Sequence, residues 1–201
     1  MKGSSNAASS SSSIKPRAAA NNLPEPPSST APFRIKLLSM GNAGTGKSCL
    51  IKRYCEERFV TKYIATIGID YGVKPVKVNM EDVRVNFWDL SGHKEFLEVR
   101  NEFYKDTQGC ILVYDVSSRE SFDDLDNWLN EATKYGANPR EMPVALCANK
   151  TDKPKRVVSE EEGRQYAISR GLSYFETSAS NGQNVHEMFE YLFREMVRLS
   201  S

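Results

Sequence analysis

Apolar positions recur along this chain in two rhythms, one with a period near two and one near 3.6, separated by polar turns. Residues 33–40 (Phe-Arg-Ile-Lys-Leu-Leu-Ser-Met) read as a strand, followed by a glycine-rich turn and a helical pattern over 47–57. Residues 73–78 and 83–88 alternate or run apolar, as the two strands of a hairpin do. The run 109–115 (Gly-Cys-Ile-Leu-Val-Tyr-Asp) has the unbroken hydrophobicity of a buried parallel strand. Over 121–135, Phe122, Leu125, Trp128 and Leu129 fall on one helical stripe. A second buried strand spans 143–148, and Ser159-Glu160-Glu161-Glu162 opens a helix with a capping-box signature. A short strand at 172–175 and an amphipathic helix at 185–199 complete the pattern. Strands alternating with helices predict an α/β fold, a six-stranded, mostly parallel sheet with helices on both faces. No internal repeat is visible.

Composition alters this picture at the N-terminus. Residues 1–32 are biased toward Ser, Ala, Asn and Pro, including five serines at 9–13, and cannot bury enough apolar surface to offset their ordering entropy. They are expected to be a disordered tail, less Arg-rich than a transit peptide. Residues 33–199 are expected to form one domain, with 200–201 as the C-terminal end, within the prior for a chain of 201 residues. With 27 basic and 26 acidic side chains the net charge is +1, which offers no global attraction to nucleic acid or to an anionic membrane. Cys49, Cys55, Cys110 and Cys147 form no CxxC pair and sit in or beside apolar stretches, so they read as reduced, buried small hydrophobes. No apolar run approaches the roughly 18 residues of a membrane span, and no secretory core is present. A soluble, cytoplasmic protein is expected, with peripheral membrane association or a nuclear location left open.

Four short motifs carry chemistry. Gly41-Asn42-Ala43-Gly44-Thr45-Gly46-Lys47-Ser48 fits the phosphate-binding P-loop pattern, between a strand and a helix as that pattern requires. Its glycines let backbone N–H groups turn inward around phosphate oxygens, and the helix N-terminus adds a favourable field. Lys47 is placed to reach the β- and γ-phosphates, and the Ser48 hydroxyl to ligate Mg²⁺. This loop alone does not choose between ATP and GTP. Asn149-Lys150-Thr151-Asp152, after a buried strand, makes the choice: the Asp152 carboxylate can accept from the N1–H and N2–H₂ donors of guanine, whereas adenine would leave it unpaired. Asn149 suits the N7 and O6 side of the base, the Lys150 stem can pack along the ring, and Ser178-Ala179 would supply a backbone N–H to O6. Asp89-Leu90-Ser91-Gly92 ends another strand; the acid can hold Mg²⁺ through water, and Gly92 can bring its N–H to a γ-phosphate.

In this order the motifs resemble the Ras superfamily, and the Rab branch in particular, over residues 33–199. Trp88-Asp89-Leu90-Ser91-Gly92 is similar to the Trp-Asp-x-x-Gly of Rab proteins. The resemblance implies that Thr66, within Ala65-Thr66-Ile67-Gly68-Ile69-Asp70, is the switch threonine that ligates Mg²⁺ when GTP is bound. It implies Phe59 against the guanine face and Tyr63 closing over the phosphates; read by itself, Phe59 is a core aromatic. Cys49 falls at the P-loop end of the nucleotide contact set. The resemblance further implies GTP and GDP as ligands, a monomer, and an exchange factor, a GTPase-activating protein and effectors as partners. Lys52-Arg53-Tyr54-Cys55-Glu56, residues 67–72 and residues 100–109 are similar to Rab-like GTPases of the RBJ type, whose full-length members carry a J domain. This sequence contains no His-Pro-Asp, so no chaperone-recruiting activity is carried over.

Three departures bear on function. His93 follows Gly92, where most relatives have the glutamine that orients the attacking water. Ala43 stands where Ras has glycine, its Cβ near the place of a γ-phosphate. Ser180 also replaces the usual lysine after Ser-Ala, a change expected to cost little because the backbone N–H of Ala179 remains, so it is not one of the three. No cysteine follows Cys147, so a prenylated, stably anchored protein is not expected. The reading is a regulated GTPase with slow intrinsic turnover, in which Lys47, Thr66, Gly92 and His93 form the hydrolysis end of the site. The alternative is a GTP-loaded adaptor with negligible turnover; a P-loop ATPase or kinase is disfavoured by Asn149 and Asp152. Single-turnover kinetics should show faster GTP hydrolysis in His93→Gln than in the wild type, and an unchanged rate would remove His93 as the cause of slow turnover.

Overall fold

A computed structural model describes residues 32–59, 61–62 and 64–200. Residues 1–31 of the tail expected over 1–32, together with Val60, Tyr63 and Ser201, lie outside the described residues. The elements run β1 (Phe33–Met40), α1 (Lys47–Glu56), β2 (Ile69–Val78), β3 (Glu81–Leu90), α2 (Leu97–Arg100), β4 (Gly109–Asp115), α3 (Arg119–Asp123), α4 (Leu125–Lys134), β5 (Val144–Asn149), α5 (Glu160–Arg170), β6 (Ser173–Thr177) and α6 (Val185–Ser200). The sheet has the order β2-β3-β1-β4-β5-β6, with β2 antiparallel to β3 and every other pair parallel. This is the predicted α/β architecture.

The pleat of the central strands divides the core in two. On β1, Ile35 and Leu37 join one cluster with Leu50 and Tyr54 of α1 and Phe189, Leu192 and Phe193 of α6. Leu38 and Met40 point to the other face, where Phe122, Leu125, Trp128 and Ala167 cover the sheet from α3, α4 and α5. The parallel strands β4 and β5 are buried at every position, which is why both read as unbroken apolar runs. Aromatic rings lock the first face, with Tyr54 and Phe189 centroids 4.7 Å apart.

Several boundaries differ from expectation for physical reasons. Strand β2 begins at Ile69 rather than 73, because as an edge strand it exposes Asp70, Tyr71, Gly72 and Val73 and so shows no clean alternation. The single helix expected over 121–135 is two helices, broken at Asp124 (φ −82, ψ −2). Ser118 caps the first, accepting from Ser121 N–H at 3.3 Å. The Asp124 carboxylate accepts from Asn42, a long-range demand that local helical periodicity does not record. Helical turns at Lys94–Phe96, Leu97–Arg100 and Asn101–Phe103 had no signature in the sequence, being too short to show a stripe. Cys110 and Cys147 are buried, but Cys49 and Cys55 are only half-buried, correcting the uniform burial expected of the four. Phe59 is not a core residue either; it is 38% exposed. Among the described residues no helix is long and apolar enough to cross a membrane.

Candidate functional site

The carboxyl ends of the parallel strands converge on one edge, where the strand order reverses about β1 and ligands of open α/β sheets bind. The P-loop follows β1, Asp89 sits near the end of β3, Asp115 ends β4, Asn149 ends β5, and Ser178 follows β6 directly. Between them lies a cavity of about 370 Å³. Its walls include Ala43, Gly44, Gly46, Lys47, Ser48 and Cys49 from the P-loop and α1. Phe59, Thr66, Gly92 and His93 line it from the loop before β2 and the segment after β3, and Asn149, Lys150, Asp152 and Ala179 from the loops after β5 and β6.

Lys47 is buried, and its Nζ donates to the carbonyls of Gly41 (2.8 Å) and Asn42 (3.1 Å). Burial pushes its pKa down to about 8, and Arg100 adds to the fall, while Asp89 opposes it. The protein supplies too little negative charge to balance this ammonium. Beside it, three oxygens gather from three segments. Ser48 Oγ at the start of α1 donates to Asp89 Oδ2. Thr66 Oγ1 donates to the same oxygen at 3.3 Å, and the two hydroxyl oxygens are 2.9 Å apart. Ser39 of β1 donates to Asp89 Oδ1 and fixes the carboxylate from behind. Two hydroxyls and one carboxylate are hard oxygen donors suited to Mg²⁺ with retained waters. Among the described residues no cluster of His, Cys, Asp and Glu forms an alternative metal site.

Close backbone approach explains two glycines. At Gly46 (φ 103) a Cβ would overlap the Asn149 side-chain amide. At Gly92 a Cβ would run into the backbone of Asn42 and Ala43, so only glycine lets this segment lie against the P-loop.

At the far end, Asp152 Oδ1 accepts from Ser178 Oγ at 2.6 Å, which orients the carboxylate. Asn149 is fully buried and tied to protein on both sides: Nδ2 donates to Thr45 O (2.8 Å), and Oδ1 accepts from Thr177 (3.2 Å). It therefore links the P-loop to β6. Lys150 adopts φ 68, lays its Nζ on Gly44 O (2.5 Å) and pairs with Asp115 Oδ2 (2.8 Å), so its stem runs alongside the P-loop. Burial would raise the Asp115 pKa, but hydrogen bonds from Lys150, Ser117 and Lys153 prevail and hold it at about 2. Cys49 lines the cavity as a thiol whose pKa is raised by burial.

The structure also uses residues that motif reading missed. Arg53 of α1 donates to the carbonyls of Ala179 (2.8 Å) and Ser180 (2.5 Å), clamping the loop after β6. Trp128 and Asp124 hold the P-loop residue Asn42, Trp128 Nε1 donating to its Oδ1 (2.7 Å) and Asp124 accepting from its Nδ2 (2.7 Å). Lys52, Thr61, Lys62 and Ile64 also line the cavity. No local sequence signal marks these positions; their partners lie far away in the chain.

This fold and its phosphate-facing loop define the class of P-loop nucleoside triphosphate-binding domains. A model of the Ras family matches residues 36–198, and the chain belongs to that family. Curated relatives include DnaJ homolog subfamily C member 27 of Danio rerio, 58% identical over 165 residues, covering 80% of this chain and 60% of the relative. The proteins of that name from Rattus norvegicus and Homo sapiens are 52% and 53% identical, each covering 89% of this chain and 67% of the relative. The chain thus spans about 60 to 67% of the length of these relatives.

The Lys47 amine sets a test. Its pKa of about 8 lies below the ordinary 10.5, so in the free protein the charged form costs stability at low pH, and that cost falls as pH rises from about 8 toward 10.5. Phosphate oxygens would pull the pKa back up. Nucleotide binding at pH near 9 should take up a fraction of a proton, and at pH 6.5, where Lys47 is already charged, that uptake should vanish. Calorimetry in buffers of different ionisation enthalpy measures both; equal uptake at the two pH values would contradict this assignment.

Proposed function

We propose that this protein is a guanine-nucleotide switch that binds Mg²⁺ with GTP or GDP and hydrolyses GTP slowly. The observation that carries the reading is the convergence of the Ser48, Thr66 and Asp89 oxygens beside the desolvated Lys47, in one cavity with Asp152 and Lys150. Residues 33–199 are the nucleotide-binding domain in this reading, and 1–32 a tail. Lys47 and the inward P-loop amides hold the phosphates, Gly92 N–H meets the γ-phosphate, and Asp152 selects guanine. Phe59 and the Lys150 stem flank the base, with Asn149 and the Ala179 N–H on its O6 side. When bound, Mg²⁺ would neutralise charge developing between the β- and γ-phosphates. His93 lines the cavity next to Gly92, and in this reading its side chain would contact the attacking water. GTP would hold Thr66 and Gly92 in place, and hydrolysis would release them, giving effectors two states to read. Intracellular trafficking or signalling is the setting proposed, with an exchange factor and an activating protein as regulators. What the remaining length of the relatives does is not transferred to this chain.

A second reading, a GTP-loaded adaptor with negligible turnover, is favoured by one feature: His93 and Ala43 both line the cavity, where the γ-phosphate would lie in this reading.

Binding of GTP and ATP with Mg²⁺ tests the nucleotide assignment. GTP should bind about 100-fold more tightly than ATP: Asp152 is exposed in the free protein, and covering its carboxylate with a base that offers it no donor typically costs about 3 kcal/mol. Asp152→Ala should erase most of that preference by weakening GTP alone. Equal affinities in the wild type would refute guanine selection.

A further inference from the structure

Arg100, at the end of α2, is 3% exposed, unusual for a side chain that cannot lose its charge. Its guanidinium is used on three sides. Nε and Nη2 donate to Glu131 Oε1 (2.6 Å) and Oε2 (2.8 Å), a bidentate pair that anchors it to α4. Nη1 donates to the carbonyls of His93 (2.6 Å) and Ser91 (3.3 Å), the two residues flanking Gly92. Its flat face lies 4.5 Å from the centroid of Trp128. Glu131 is steadied in turn by Tyr104 OH (2.7 Å), and Trp128 donates to Asn42 of the P-loop (2.7 Å).

The surroundings show why such a grip matters. A second cavity, of about 580 Å³, opens under this segment and is lined by Gly92, His93 and Lys94 on one side and Trp128 and Glu131 on the other. The cavity leaves one side of the Gly92–Lys94 segment unpacked, the other lying against the P-loop, and Arg100 spans that space by hydrogen bonds. The two carbonyls it holds belong to the Ser91–Gly92 and His93–Lys94 peptide planes, which bracket Gly92 and the His93 Cα.

We propose that Arg100 is a positioning residue for GTP hydrolysis, bracing Gly92 and His93 against α4 and, through Trp128 and Asn42, setting their register against the P-loop. This rests on the reading of Gly92 and His93 as the hydrolysis end of the nucleotide site. Arg100 itself touches no reacting atom; it acts through the segment it holds. A lysine in its place would keep the charge but lack the fork that engages Glu131 and the two carbonyls together.

Two variants of the full chain test this. Arg100→Lys keeps the charge. Arg100→Leu combined with Glu131→Gln removes the grip without leaving a buried carboxylate unpaired, and the amide oxygen so introduced can still accept from Tyr104. Each should bind Mg²⁺–GTP within about threefold of the wild type, yet hydrolyse it at least about tenfold more slowly in single turnover, as expected when reacting groups lose their alignment. Amide exchange at Gly92 and His93 should speed up with a GTP analogue bound. His93→Gln should change the wild-type rate but have little effect in either Arg100 background, because an unaligned side chain cannot use the substitution. Should wild-type turnover be too slow to measure, the exchange result stands alone. Variants that bind GTP and match the wild type in rate and exchange, whatever their thermal stability, overturn the assignment of Arg100. A wild type that does not bind GTP overturns the nucleotide reading itself.

Discussion

Burial of unlike charges at the carboxyl edge of the sheet is the constraint on which the rest of this site depends. The Lys47 ammonium and the Asp89 carboxylate are both buried, and neither is neutralised by a direct ion pair with the other. Each is met instead by dipoles: two P-loop carbonyls for the lysine, three hydroxyls for the carboxylate. Such an arrangement is costly when empty, which the lowered Lys47 pKa reports, and it is the arrangement that a polyphosphate with a divalent cation would complete. Fold stability and ligand affinity are thus opposed at this point, as is usual where a site is organised before its ligand arrives.

Around that charged centre, the loops are held by side chains that reach across the fold. Asn149 ties the P-loop to β6, Arg53 ties α1 to the loop after β6, and Trp128 with Asp124 ties Asn42 to α4. Two of these ties end on backbone carbonyls of the loops themselves, so the loops' conformation is fixed by hydrogen bonds rather than by apolar packing. Arg100 extends the same device to Ser91 and His93, the segment with space beneath it.

The legibility of the fold followed burial. Strands β4 and β5 are buried on both faces and were readable almost to the residue; β1 and α1, joined by a motif with its own geometry, were equally plain. The edge strand β2, half exposed, lost four residues to an apparent loop, and the helix over α3 and α4 hid a break that serves Asn42 from a distance. In the site, residues whose chemistry is local to a motif (Lys47, Ser48, Asp89, Asp152) were legible because spacing alone dictates their neighbours. Arg53, Arg100 and Ser39 were not, since their partners lie on other elements and a single sequence carries no record of which elements meet. Thr66 and Phe59 became legible only through resemblance to a family.

The central claim is that Ser48, Thr66 and Asp89 form one cation site whose third oxygen depends on the nucleotide. A Mg²⁺ titration of the GTP-loaded and GDP-loaded protein tests it directly, with Thr66→Ala measured alongside. The account predicts Mg²⁺ held about tenfold or more tightly with GTP than with GDP, and a loss of that difference in Thr66→Ala with the GDP-state affinity unchanged. Equal Mg²⁺ affinity in the two nucleotide states of the wild type would contradict it.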